Sequence, residues 1–229
     1  MPARPIFYSQ SRRILALKVV SFDLDDTLAD KNFDDALWHR EIPKLYAAKR
    51  GLPFEEALAF CEAAYDAESD KSIHWYDINY WLGEFGLVGE KQKLIAELRP
   101  LVRLFPDALP CLARLEAAGC RLAIVSNATR EFMAFKLEAD GLGSHFGDVF
   151  SMTSDFKIVK KDAAAFLGIC GRLNAQPSQV WHVGDHYKFD YEVPRSVGIN
   201  AFYLDRKKEK KGEFVVHDLN EFADRVLGC

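Results

Sequence analysis

The amino-acid sequence predicts an α/β fold built on a doubly wound parallel sheet, with a helical insert after the first strand. From residue 105 onward, strand-like and helix-like patterns alternate, which is typical of parallel βαβ units. Residues 31–100, by contrast, show helical periodicities and no strand pattern. The 229-residue chain is 49% hydrophobic, so it has enough apolar side chains for a sizeable core.

The elements follow from these patterns in chain order. The first strand is predicted at residues 17–22, a short apolar run that ends abruptly in acidic residues. About four helices are expected in the insert, over residues 37–46, 54–65, 73–85 and 90–98. The rest of the chain predicts helices at 107–118, 130–140 and 162–173, strands at 121–126, 148–152, 180–183 and 199–204, and a last helix capped by Asp218 with Glu221 in capping-box register. We therefore expect a core domain from residues 1–30 and 101–229, and a helical domain from residues 31–100.

Charge and cysteine content exclude several classes of function. The net charge is −4 and no basic stripe is present, which argues against nucleic acid as a partner. The insert holds 9 Lys/Arg and 13 Asp/Glu, and this acidic balance favours a small substrate over a long polyanion. Five widely spaced cysteines without a CxxC pair suggest free thiols and a cytoplasmic protein. We expect no membrane partner, because there is no run of 18 apolar residues and no secretory signal pattern; a monomer and a homodimer both remain open.

Two carboxylates follow the first predicted strand directly. Asp23 and Asp25 stand two residues apart where the apolar run ends. In open α/β sheets the reactive crevice lies at the carboxyl ends of the strands, and unpaired charges resist burial there. A divalent cation is the simplest group that would compensate the two acids.

Three further polar clusters follow later strands, so we expect them at the same edge of the sheet. They are Ser126-Asn127, the lysines Lys157, Lys160 and Lys161, and Gly184-Asp185 with Asp190 five residues on. Carboxylates, a hydroxyl, an amide and a cation together suit phosphoryl transfer. A carboxylate can act as the nucleophile, a metal ion and a lysine can neutralise the transferring oxygens, and a second carboxylate can carry protons.

The residues DLDDT at 23–27, Ser126, Lys160 and GD…D resemble the four ordered motifs of the haloacid dehalogenase superfamily, over about residues 18–205. The resemblance implies a Rossmann-like core with a helical cap inserted after the first strand, and a Mg²⁺-dependent phosphatase acting on a small phosphorylated metabolite. It implies that Asp23 is the nucleophile and Asp25 the general acid/base. Mg²⁺ would be held by Asp23, Asp185 and the Asp25 backbone carbonyl.

The resemblance also implies a phosphate-binding set, namely Thr27, Ser126, Asn127 and Lys160, with Asp190 supporting the metal site or the lysine. Thr27 would orient the catalytic loop. Segments after Leu28 and at residues 99–106 would be the hinges of the cap.

The chain departs from the family pattern at two positions. The motif lysine is usually followed by proline, and here Lys161 follows Lys160. We choose Lys160, because Asp162 and Phe166 then fall in register, while Lys157 and Lys161 stay open as alternatives. His186 replaces the usual serine after Gly184-Asp185, where it either titrates near the metal or points to solvent.

Other functions remain to be weighed against a phosphatase. A 2-haloacid dehalogenase of the same superfamily would lack the acid that Asp25 provides, and a phosphomutase would use the same four groups. A non-catalytic phospho-accepting receiver would not need a 70-residue lid. We expect the aromatic residues of the insert, Trp75, Tyr76, Tyr80, Trp81 and Phe85, to pack its core rather than to bind substrate.

Overall fold

The computed structural model of the protein describes residues 18–228. The expectations for the N-terminal extension, for the start of the first strand at Leu17 and for Cys229 lie outside these residues. Cys61, Cys111, Cys120 and Cys170 are all free thiols. No helix in the described part of the chain is long and apolar enough to cross a membrane.

A six-stranded parallel sheet forms the centre of the molecule. Its strands are β1 Val19–Phe22, β2 Arg121–Ser126, β3 Asp148–Ser151, β4 Val180–Gly184, β5 Asn200–Leu204 and β6 Val215–Val216. They lie in the order β3-β2-β1-β4-β5-β6, which confirms the doubly wound sheet. The order reverses between β1 and β4, and at such a switch point the loops diverge and leave a crevice for a ligand. Phe22, the last residue of β1, lies opposite Ile124 and Val183.

Helices alone fill the chain between β1 and the second half of the sheet. They are α1 Asn32–Ala36, α2 Ile42–Arg50, α3 Phe54–Glu68, α4 Ile78–Glu84 and α5 Lys91–Leu98, with a π-helical turn at Leu37–Glu41 that joins α1 to α2. Short 3₁₀ turns lie at Ile73–Tyr76, Val88–Glu90 and Arg99–Leu101. The helical insert expected after the first strand is therefore present. Its role as a separate, moving domain stays a prediction.

The second half of the chain wraps helices around the sheet. These are α6 Ala108–Ala117, α7 Arg130–Leu137, α8 Ala163–Leu173, α9 Val193–Ser196 and α10 Leu219–Leu227. Asp218 caps α10, since its side chain accepts a hydrogen bond from the Glu221 N–H at 2.9 Å. Helix α7 ends before the predicted residue 140, because Asp140 and Gly141 adopt positive φ angles of 46° and 73°. The two-residue strand β6 was not predicted.

Three apolar clusters hold these layers together. Alternate residues of β1 face opposite sides of the sheet, so Val20 and Phe22 pack towards α6 and α10, while Val19 packs towards α8. The third cluster fills the insert and also takes in Phe132 from α7. The two chain segments that join the insert to the sheet run antiparallel, since Asp30 N–H donates to the Arg103 carbonyl at 2.9 Å.

Candidate active site

Asp23 lies at the carboxyl end of β1, in the centre of the sheet. Its side chain is buried, and its backbone N–H donates to the Val183 carbonyl at 2.9 Å. The chain then turns tightly, with Leu28 N–H bonded to the Leu24 carbonyl and Asp26 at a φ of 56°. This turn brings Asp25, which is half-buried, into the same cavity as Asp23.

The lysine that contacts Asp23 is Lys161, and not Lys160 as expected from the motif register. Lys161 is buried, and its Nζ lies 2.5 Å from both Asp23 Oδ1 and Asp190 Oδ1. Lys160 lines the cavity but bonds to the Tyr76 hydroxyl and to Asp70 of the insert, each at 2.9 Å. The chain reaches this arrangement through a left-handed residue, Lys157, and an irregular segment with bends at Val159 and Lys160 before α8.

Asp190 anchors the other side of the site. It is buried in a π-helical turn at Tyr187–Glu192, and its Oδ2 accepts the His186 backbone N–H at 3.0 Å. His182, buried in β4, lies 3.3 Å from Asp190 Oδ1 through Nε2 and 2.8 Å from the Ser21 hydroxyl through Nδ1. Burial alone would raise the pKa of Asp190. Lys161 and His182 outweigh this effect, so the pKa lies well below its ordinary value. This internal His182–Ser21 support was not predicted.

Three carboxylates converge on one point and fit a divalent metal ion. Asp23, Asp185 and Asp190 each place a ligand oxygen within 4.8 Å of the others. Burial raises the pKa of Asp23 well above its ordinary value, although Lys161 opposes the shift. Burial, together with the charge of Asp190, raises the pKa of Asp185 to about 7. A cation between these groups would favour their ionised forms, and carboxylate oxygens are the ligands that Mg²⁺ prefers.

Asp25 makes a contact that sequence reasoning missed. A buried lysine of α7, Lys136, bonds to Asp25 and, at 2.5 Å, to Asp34 of α1. The two carboxylates raise the pKa of Lys136 against the effect of burial. Burial raises the pKa of Asp34 to about 6. Lys136 thus links the loop after β1 to the first helix of the insert. Its position in an amphipathic helix gave no sequence signal for this role.

Of the hydroxyl and amide residues in the predicted phosphate-binding set, Ser126 and Asn127 reach the cavity and Thr27 does not. Ser126 is buried at the end of β2 and lines the cavity with Asn127. Its Oγ accepts the Ala128 N–H at 3.1 Å, so its own O–H remains available as a donor. Thr27 is fully buried below the loop and does not line the cavity. Its carbonyl accepts a hydrogen bond of 2.7 Å from Arg206.

Two side-chain oxygens near this loop, Thr27 Oγ1 and Asn127 Oδ1, are buried without a hydrogen-bond partner among residues 18–228.

The cavity above these residues has a volume of about 380 Å³. The sheet edge forms its floor, and Trp38, Trp75 and Tyr76 of the insert form its roof. His186 lines the cavity and is also exposed to solvent, so both alternatives for this residue stay open. Burial lowers the pKa of His186, which favours the neutral imidazole.

Comparison with known proteins identifies the family. The model of the haloacid dehalogenase-like hydrolases matches residues 17–198. The chain belongs to this family. An Escherichia coli relative, the GMP/IMP nucleotidase YrfG, is 32% identical over 143 residues, which cover 62% of this chain and 63% of the relative.

Other haloacid dehalogenase-like hydrolases resemble this one in sequence and structure. (S)-2-haloacid dehalogenase 1 of a Pseudomonas species is 30% identical over 133 residues, or 54% of this chain and 58% of that enzyme. The crystal structure of a HAD phosphatase from Thermococcus onnurineus superposes with a TM-score of 0.78 and 26% identity, covering 93% of this chain and 98% of that one. The fold and the hydrolase class are therefore confirmed. The non-catalytic receiver is correspondingly disfavoured.

Proposed function

We propose that this haloacid dehalogenase-like hydrolase is a Mg²⁺-dependent phosphomonoesterase that acts on a small phosphorylated metabolite through an aspartyl-phosphate on Asp23. One observation carries the proposal. Asp23 is buried at the switch point of the sheet with the ammonium group of Lys161 on its carboxylate, and Asp25 opens into the same cavity. A nucleophile, a cation for the transferring group and a proton carrier are thus within one space of about 380 Å³.

The proposed reaction has two steps. A carboxylate oxygen of Asp23 attacks the phosphorus, the bond between phosphorus and the ester oxygen breaks, and the leaving alkoxide takes a proton from Asp25. In the second step Asp25 takes a proton from water, whose oxygen attacks the phosphorus of the aspartyl-phosphate. The bond between phosphorus and the Asp23 oxygen breaks, inorganic phosphate leaves, Asp23 is again a carboxylate and Asp25 again carries its proton. Lys161 and the Ser126 hydroxyl would hold the phosphoryl oxygens, with Asn127 beside them.

The metal ion would be held by Asp23 and Asp185, and Asp190 lies close enough to support it. When bound, Mg²⁺ would neutralise charge on the phosphoryl oxygens. Two roles stay predictions: that the Asp25 backbone carbonyl binds the metal ion, and that Thr27 orients the catalytic loop. Asp190 already bonds to Lys161, which fits the supporting role expected for it.

A 2-haloacid dehalogenase is the second candidate, because a relative at 30% identity carries that name. Asp25 argues against it. Displacement of a halide needs no proton donor for the leaving group, whereas an alkoxide does. The acidic side chain of Asp25, which opens into the reaction cavity, therefore fits phosphate ester hydrolysis better.

The test compares both reactions in one set of proteins. Phosphate release from para-nitrophenyl phosphate and chloride release from (S)-2-chloropropionate would be measured with Mg²⁺ and with a chelator, for the intact protein, Asp23→Asn, Asp25→Asn and the control Asp140→Asn, an exposed acid that does not line the cavity. We expect Mg²⁺-dependent phosphate release that falls by a factor of about 100 or more in the first two variants and is kept in the control. Chloride release, or full phosphatase activity in Asp25→Asn, would contradict the proposal.

A further inference from the structure

A second cavity, of about 270 Å³, lies within the helical insert beside the catalytic one. Trp38, His39 and Trp75 line both cavities, so the two spaces share a wall. We call the second space the aromatic cavity, defined by these three residues with Glu62, Tyr65, Asp66 and Trp81. A substrate with its phosphate on Asp23 would place its leaving group towards this space.

The wall of the aromatic cavity is a set of ordered rings. The rings of Trp38 and Tyr65 meet edge to face at 5.7 Å, and those of Tyr65 and Trp81 at 4.7 Å. Tyr65 and Trp81 are buried, whereas Trp75 is 36% exposed. The Trp81 indole N–H donates to the Trp75 carbonyl at 3.3 Å, which fixes the backbone of Trp75. Tyr80, Trp81 and Phe85 thus pack in the core of the insert as expected. Trp75 and Tyr76 instead line the catalytic cavity, and Trp75 presents an accessible indole to a planar ligand.

Two carboxylates supply the aromatic cavity with hydrogen-bond acceptors. Glu62 and Asp66 lie one turn apart on α3 and line the aromatic cavity. Glu62 Oε1 lies 3.3 Å from His39 Nδ1. Carboxylates accept hydrogen bonds and donate none, so they select a ligand that offers N–H groups.

These observations describe a ligand with a phosphate at one end and a planar ring with N–H donors at the other. Guanine presents two adjacent donors, N1–H and the 2-amino group, which match a carboxylate. Hypoxanthine keeps N1–H. Adenine has an acceptor at N1, which a carboxylate repels. The relative named as a GMP/IMP nucleotidase agrees with this chemistry.

We propose that the aromatic cavity is the base-binding subsite for a 6-oxopurine nucleoside monophosphate. The ring stacks on Trp75, the N–H edge bonds to Glu62 or Asp66, and the phosphate lies at Asp23. This substrate assignment rests on the proposed phosphatase activity.

The kinetic test measures kcat/KM for GMP, AMP, ribose 5-phosphate and para-nitrophenyl phosphate. We expect the intact protein to prefer GMP to AMP and to ribose 5-phosphate by about tenfold or more. Trp75→Ala would lower the value for GMP about tenfold more than the value for ribose 5-phosphate. The double variant Glu62→Gln/Asp66→Asn would reduce the preference for GMP over AMP by about tenfold, a ratio that a general loss of turnover would not change.

Two control variants match these changes. Phe60→Ala removes an exposed ring of the insert, and Glu55→Gln neutralises an exposed acid of α3; neither residue lines the two cavities. Both should keep the preference for GMP. Equal turnover of GMP and ribose 5-phosphate, or a uniform loss on all four substrates in Trp75→Ala, would overturn the subsite while leaving the phosphatase proposal intact.

Binding separates failure of the subsite from failure of the chemistry. Calorimetry with Asp23→Asn, which cannot form the aspartyl-phosphate, would measure GMP and AMP in the presence of Mg²⁺. We expect tighter binding of GMP, weakened about tenfold by adding Trp75→Ala. If no phosphate ester is turned over but GMP still binds in this pattern, the subsite stands and the reaction is wrong. Absence of GMP binding would overturn the subsite.

Discussion

Lys161, and not Lys160 as the motif register predicts, contacts Asp23, and this difference allows a sharp test of the site. Lys161→Met would remove the buried ammonium group between Asp23 and Asp190, whereas Lys160→Met would remove a neighbouring one that is partly exposed and bonds to the insert. Methionine keeps most of the apolar stem of either side chain, so the main change is the loss of charge and hydrogen bonds. The two variants form a matched pair.

The expected magnitudes follow from burial. Lys161 is 2% exposed and its two partners are 10% and 1% exposed. Removing one partner from such a buried ion pair costs about 3–5 kcal/mol, because the remaining charges are left uncompensated. The loss of a positive group beside the transferring phosphoryl oxygens should lower kcat by a factor of about 100–1,000. The side chain of Lys160 is 28% exposed and that of its partner Asp70 is 54% exposed, so this ion pair should contribute about 1 kcal/mol or less.

The assay combines urea denaturation at neutral pH with phosphate release from para-nitrophenyl phosphate. Adding Asp190→Asn to Lys161→Met should restore part of the lost free energy of unfolding, because one uncompensated carboxylate is then removed as well. Circular dichroism would show that the variants are folded at the assay temperature. If Lys160→Met loses as much activity as Lys161→Met, or if Lys161→Met unfolds at the same urea concentration as the intact protein, the reasoning from burial is refuted.

Two further predictions concern the acidic cluster. Gly184→Ala should abolish most activity, since an added Cβ would lie 2.7 Å from the Cβ of Asp190. Gly171→Ala should instead raise the free energy of unfolding by about 0.5–1 kcal/mol, because a Cβ added there meets no neighbouring atom within 4 Å. Equal urea midpoints for the two variants would contradict this prediction. In the metal-free protein the pKa of Asp185 is raised to about 7. Between about pH 4 and about pH 7 the folded state therefore holds a proton that the unfolded state has lost. The stability contributed by this group falls as the pH rises through this range. The fall in the free energy of unfolding over this range should be smaller in Asp185→Asn; an unchanged slope would refute the prediction.

The sequence predicted the fold well, because the signals for it are local. The run that ends in Asp23, the alternating patterns after residue 105 and the Asp218 cap each depend on neighbours in the chain, and the structure has them. The two-residue strand β6 was missed, because its pairing with β5 is too short to leave a periodic pattern.

The side-chain pairs of the site were harder to predict, because they join distant parts of the chain. Motif register favoured Lys160, but which of two adjacent lysines turns inward depends on the left-handed residue Lys157 and on the approach of Asp190. Lys136 and His182 gave no sequence signal either. Each is one polar residue in an otherwise ordinary helix or strand, and only the folded chain shows that it contacts an acid of the site.

The central place of β1 has a consequence for how the chain acquires its structure. Its neighbours β2 and β4 begin at Arg121 and Val180. About 100 further residues must therefore be synthesised before the first partner strand of β1 exists, which takes about 5–20 s. All buried residues of the apolar cluster in the insert, except Phe132, are synthesised before that moment. We therefore expect the nascent chain to compact first around the insert, while Val19–Phe22 remains an unpaired apolar strand. Substitutions that slow this step should raise aggregation during expression more than they lower the stability of the finished protein.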